Sequence, residues 1–118
     1  MSVAETKEFL ALLEDILDEC ADDHVGLWSV LKEVRNAMGD AVSAELKAVT
    51  LELLRFLLTR HLIEAGFPTP NGKDFNPWTL SPDETIRKIA REWDKLGRDP
   101  SGGEIVWFTA PDRARSRP

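Results

Sequence analysis

One short run near the end of the chain constrains the fold more than any other feature. Glu104 to Ala110 reads Glu, Ile, Val, Trp, Phe, Thr, Ala between Gly103 and Pro111. The run is too short for a helix, and its β-branched and aromatic residues suit a strand. A lone strand leaves its backbone donors and acceptors unmet, so this one requires a partner. The best candidate is Leu62 to Phe67, although brief apolar runs of that kind fit a helix end equally well. The pairing predicts a small two-stranded antiparallel sheet in a mainly helical, α+β domain.

Helical periodicity accounts for most of the rest. Phe9, Leu13, Ile16, Leu17 and Cys20 recur at spacings of three and four, which predicts a helix from about Ala4 to Ala21. After the turn Asp22 to Gly26, a second stripe of Leu27, Leu31, Val34 and Met38 stops at Gly39. Asp40 or Ser43 is then positioned to cap a third helix, whose stripe of Val42, Leu46, Val49, Leu53 and Phe56 or Leu57 runs toward Gly66. Pro68 to Trp78 contains three prolines, a glycine and two asparagines and reads as a loop. Ser81, Pro82 and Glu84 supply a capping hydroxyl, proline at the first helical position and a capping-box carboxylate. A fourth helix therefore starts there, buries Ile86, Ile89, Ala90, Trp93 and Leu96, and stops at Gly97.

At 118 residues the chain suits one domain with one core, placed here at residues 1–110, followed by a frayed basic tail over 111–118. Its longest mainly apolar stretch, Leu51 to Ile63, is broken by Glu52, Arg55, Arg60 and His61 and is too polar for a bilayer. The first residues lack the basic-then-apolar order of a signal peptide, and the single Cys20 has no internal disulfide partner. A cytoplasmic location is expected.

Three helices followed by two strands resemble a winged-helix domain, the second and third helices forming the helix-turn-helix and the strands the wing. The resemblance covers about Glu5 to Ala110 and rests on element order. It departs from the family where Pro68 to Gly103, with the whole fourth helix, lies between the two wing strands. Ser81-Pro82-Asp83-Glu84 and the run Gly103 to Phe108 are also similar to segments of small bacterial proteins. The family resemblance implies nucleic-acid binding through the third helix, whose outer residues Ser43, Glu45, Lys47, Thr50 and Glu52 are near neutral in sum. Phosphate contacts would want arginine and lysine there.

Charge points to a different partner. Residues 1–59 hold twelve acidic and five basic side chains, whereas residues 60–118 hold nine and ten. Glu14, Asp15, Asp18, Glu19, Asp22 and Asp23 belong to a segment in which Lys7 is the only cation, so the first helix projects a negative field that attracts basic proteins. Trp28, at a helix start, and Trp78, in the predicted loop, are positioned as aromatic anchors. The fourth helix carries a basic ridge of Lys88, Arg91, Lys95 and Arg98, which with Lys47 makes the candidate nucleic-acid surface. Asp83, Glu84, Glu92 and Asp94 are close enough in sequence to neutralise much of that ridge.

Catalytic raw material is sparse. Asp22, Asp23 and His24 have metal-ligand character, but three adjacent residues after a helix end are ordinary turn chemistry. Gly102 and Gly103 precede a strand rather than the helix N-terminus that a phosphate cradle needs. His61, near the end of the third helix, suits capping. The expectation is a non-catalytic interaction module without metal or cofactor that binds a basic protein, as an immunity or antitoxin protein covers a toxin. The alternative is a winged-helix nucleic-acid-binding protein or transcriptional regulator.

Overall fold

The computed structural model describes residues 7–39 and 41–114. Helices α1 (Lys7–Asp22), α2 (Leu27–Met38), α3 (Ser43–Thr59) and α4 (Pro82–Leu96) account for most of them. Four short strands, β1 (Val25–Gly26), β2 (Glu64–Pro68), β3 (Phe75–Pro77) and β4 (Trp107–Thr109), make one sheet, and a last turn of helix, α5 (Pro111–Ala114), packs on β3. The sheet runs β1-β4-β2-β3 with every pairing antiparallel. Successive helices pack on one another, and α1 also meets β4. Their apolar faces converge on a core in which Leu27, Val30, Leu53, Leu54, Leu57, Ile89, Val106 and Phe108 are fully buried. Each such side chain contributes about 1.5–3 kcal/mol through loss of apolar surface from water.

The predicted partnership between Leu62–Phe67 and the C-terminal run is present as β2–β4, with Ala65 opposite Phe108. The sheet nevertheless has four strands rather than two. The expected loop Pro68–Trp78 is largely a β2–β3 hairpin: Phe67 faces Asn76, and Trp78 N–H donates to the Ala65 carbonyl at 2.8 Å. Its connection is held by Thr69 N–H to the Asp74 carbonyl at 2.9 Å, while the Asn71 side chain accepts from Lys73 N–H at 2.9 Å. Pro77 is tolerated because β3 is an edge strand with no ladder on its outer side. The expected turn at Asp22–Gly26 contains β1, which pairs Val25 with Phe108 and Gly26 with Trp107.

The helix ends follow local chemistry. In α4, Ser81 Oγ accepts from Glu84 N–H at 3.1 Å and the Glu84 carboxylate accepts from Ser81 N–H at 3.0 Å. Gly97 stops that helix at φ 69°. α3 starts differently from expectation. Val42 is its N-cap, Ser43 is already helical, and Asp40 lies outside the described residues. Val42 has no side-chain acceptor, so Glu45 reaches back to accept from its N–H at 3.4 Å. α3 does not continue toward Gly66. His61 takes a left-handed φ of 59°, with His61 N–H donating to Leu58 and Leu62 N–H to Leu57, which is a Schellman stop built on histidine instead of glycine.

The C-terminal run is less regular than a strand from Glu104 to Ala110. Val106 N–H donates to the Glu104 carbonyl at 2.9 Å around Ile105, whose φ is 72°. This is a strained γ-turn, costing on the order of 1–3 kcal/mol for a β-branched residue. It drops Val106 into the core and leaves the Val106 carbonyl to accept Leu27 N–H at 3.1 Å, at a start of α2 that no side chain caps. Beside it, the carboxylate of Glu104 accepts from Arg98 at 2.7 and 2.8 Å and from Ser101 N–H at 2.8 Å, closing the α4–β4 connection.

Two outcomes follow. A Cβ at Gly66 would overlap the Asn76 carbonyl oxygen and sit 2.7 Å from Pro77 Cα, so Gly66→Ala forces β3 away; urea unfolding should show a loss of about 1–3 kcal/mol. The Arg98 guanidinium and Ser101 N–H hold Glu104 down at about 2, below its ordinary 4.5. Because the folded value is the lower one, this stabilisation is full above pH 4.5 and is lost as pH falls toward 2. Glu104→Gln should therefore lower Tm at pH 7, and the gap to the unsubstituted chain should shrink over that window.

Candidate functional site

The acidic residues from Glu14 to Asp23 stay together along α1 and its end, and all but Glu19 are exposed. Glu14, Asp18 and Asp22 follow one another at four-residue spacing, so they line one ridge of the helix. Glu14, Asp15, Asp18, Asp22 and Asp23 are exposed, and among the described residues none of them forms an ion pair. Asp23 accepts from His24 N–H at 2.8 Å, ordinary turn chemistry. Glu19 is half-buried; burial and then the neighbouring Glu33 carboxyl of α2 raise its pKa, with Lys32 opposing them.

The C-terminal end of this ridge opens into a concavity of about 340 Å³. Glu19, Asp22 and Asp23 rim it, and Trp28 and Trp107 supply its aromatic surface. Trp28 is 40% exposed. Two glycines make room for these indoles: a Cβ on Gly26 would lie 3.0 Å from Trp28 Cδ1, and one on Gly103 would lie 3.1 Å from Trp107 Nε1. Four of the residues singled out from sequence thus meet in one place, and Trp107, assigned there only to the strand, joins them.

Trp78 does not. It lines a larger groove, about 770 Å³, formed with Pro77, Leu80, Glu84, Arg87, Lys88 and Arg91 along α4. Lys88 Nζ lies 5.1 Å from the Trp78 ring centroid, and the Phe67 ring is 6.2 Å away. The candidate nucleic-acid surface is divided by its ion pairs. Lys47 is bound to Asp94 and lies 5.6 Å over Trp93, Lys95 is 3.9 Å from Glu92, and Arg98 is bound to Glu104. Arg35 and Arg55 are likewise joined to Asp99 and Asp83. Lys88 and Arg91 remain without a carboxylate partner among the described residues, and Arg87, which sequence spacing leaves off the ridge, stands beside them in the groove.

The two concavities lie at opposite edges of the sheet. The acidic one includes both residues of β1, and the basic one includes Pro77 of β3, the outer strands in the order β1-β4-β2-β3. Among the described residues no three His, Cys, Asp or Glu are placed to hold a metal ion. No helix among them is long and apolar enough to cross a membrane. His24 packs its ring 5.2 Å from that of Phe75. No protein-family model, no curated protein and no solved structure matches this chain.

Cys20 is fully buried, and burial, followed by the Glu19 carboxylate, pushes its thiol up to about 12. A thiol in that state is inert at neutral pH. Ellman's reagent should label it at the rate of global unfolding, with stoichiometric reaction only in denaturant.

Proposed function

We propose that this chain is a non-catalytic interaction module that docks a partner with a basic surface through α1 and the Trp28 concavity, as an immunity or antitoxin protein covers a cationic toxin. One observation carries the reading. Arg35, Lys47, Arg55, Lys95 and Arg98 are each matched by a carboxylate of the same molecule, whereas among the described residues Glu14, Asp15, Asp18, Asp22 and Asp23 form no ion pair and lead to the exposed indole of Trp28. Uncompensated charge of one sign steers encounter with the opposite sign, and an aromatic anchor at its edge supplies the desolvated contact that charge alone does not. Such a role needs surface rather than a reactive group. A cytoplasmic setting accords with a single buried, reduced thiol.

The alternative, a winged-helix nucleic-acid binder, draws on the α2–α3 pair followed by the β2–β3 hairpin. It is the weaker reading, because α3 offers Lys47 already bound to Asp94. The first is tested by co-expressing the chain with the products of the adjoining reading frames. A basic product should co-purify. Reversing Glu14, Asp15, Asp18 and Asp22 to lysine should weaken that complex by roughly a hundredfold at low salt. A complex indifferent to the reversal, or a tight complex with duplex DNA in its place, would overturn it.

A further inference from the structure

The α4 groove keeps an excess of positive charge: Arg87, Lys88 and Arg91 line it against one carboxylate, Glu84, which is engaged by Ser81 N–H at the helix cap. Arg87 and Arg91 stand one helical turn apart, about 6 Å along the axis, and among the described residues no carboxylate forms an ion pair with either. Trp78 and the exposed Leu80 provide apolar surface beside them, with exposed Phe67 next to Trp78. An anionic occupant on the same one-turn spacing, carrying an apolar group, complements this surface.

The molecule itself presents such a surface. On α1, Leu10 is 52% exposed and is followed at four-residue intervals by Glu14 and Asp18, both exposed and unpaired among the described residues. One α1 cannot reach the groove of its own molecule, since its acidic end and the groove lie at opposite edges of the sheet. We propose that the groove between β3 and α4 receives α1 of a second copy of this chain, Leu10 against the Leu80–Trp78 surface and Glu14 and Asp18 against Arg87 and Arg91. The inference rests on the reading of α1 as a docking face, and it makes self-association a competitor of the basic partner. Contact between two different patches is head-to-tail, so repetition adds further copies rather than closing a two-fold dimer. Exposed ion pairs make it weak and salt-sensitive.

Sedimentation of the full chain tests it. At roughly 50 mM salt the mean mass should rise with concentration up to about 1 mM, and at roughly 500 mM salt association should weaken at least tenfold. The neutral pairs Arg87→Gln with Arg91→Gln, and Glu14→Gln with Asp18→Asn, change exposed side chains only. Each variant alone should remain monomeric, while a mixture of the two should form a one-to-one dimer and nothing larger, because each dimer contains a single intact junction. A wild-type chain that stays monomeric at about 1 mM in low salt, or groove variants that associate like wild type, overturns the proposal. So does a monomeric wild type whose groove binds a labelled single-stranded oligonucleotide that the Arg87→Gln, Arg91→Gln variant does not. The same arginine variant keeps α1 intact and should still bind the basic partner; if it self-associates no more and binds that partner normally, the two readings are separated.

Discussion

The stretch from Val106 to Ala110 is the constraint on which the rest of the structure depends. It pairs with β1 on one side and β2 on the other. Its Val106 carbonyl receives the first free N–H of α2, and its Ala110 N–H donates to the Cys20 carbonyl near the end of α1 at 3.1 Å. One extended segment thus meets the backbone needs of two helix ends and two strands, while Val106, Phe108 and Thr109 are completely buried. The strained turn at Ile105 persists because so many surrounding bonds over-determine it.

That arrangement also divides the surface. With β4 and β2 in the interior of the sheet, β1 and β3 are left as its outer strands, and each borders a concavity of opposite charge. Between them, ion pairs such as Lys47 with Asp94 and Arg35 with Asp99 join separate elements of the fold.

What could be read from sequence was what local chemistry decides. Helix α4 begins at Ser81 and ends at Gly97 because hydroxyl, proline, carboxylate and glycine each act within a few residues of themselves. The α1 ridge was legible for the same reason. β1 was not: Val25 and Gly26 have no periodicity of their own and become a strand only because Phe108 and Trp107 lie beside them. β3 was hidden by Pro77, which is acceptable solely at an edge, and being an edge is a property of the whole sheet. Ile105 runs against its own backbone preference. Trp78 was grouped with Trp28 as an aromatic anchor, and the fold separates them, since burial and neighbourhood are long-range facts.

The insertion of α4 between β2 and β4 bears on biosynthesis. During translation β1, β2 and β3 all emerge before the strand that lies between two of them, and β1 must wait through most of the chain for its only partner. Until then the β2 edge later covered by β4 is an open template for pairing with other chains, and the start of α2 lacks the carbonyl that satisfies it. The sheet cannot be completed before β4 has been made, and neither can the acidic concavity that Trp107 lines.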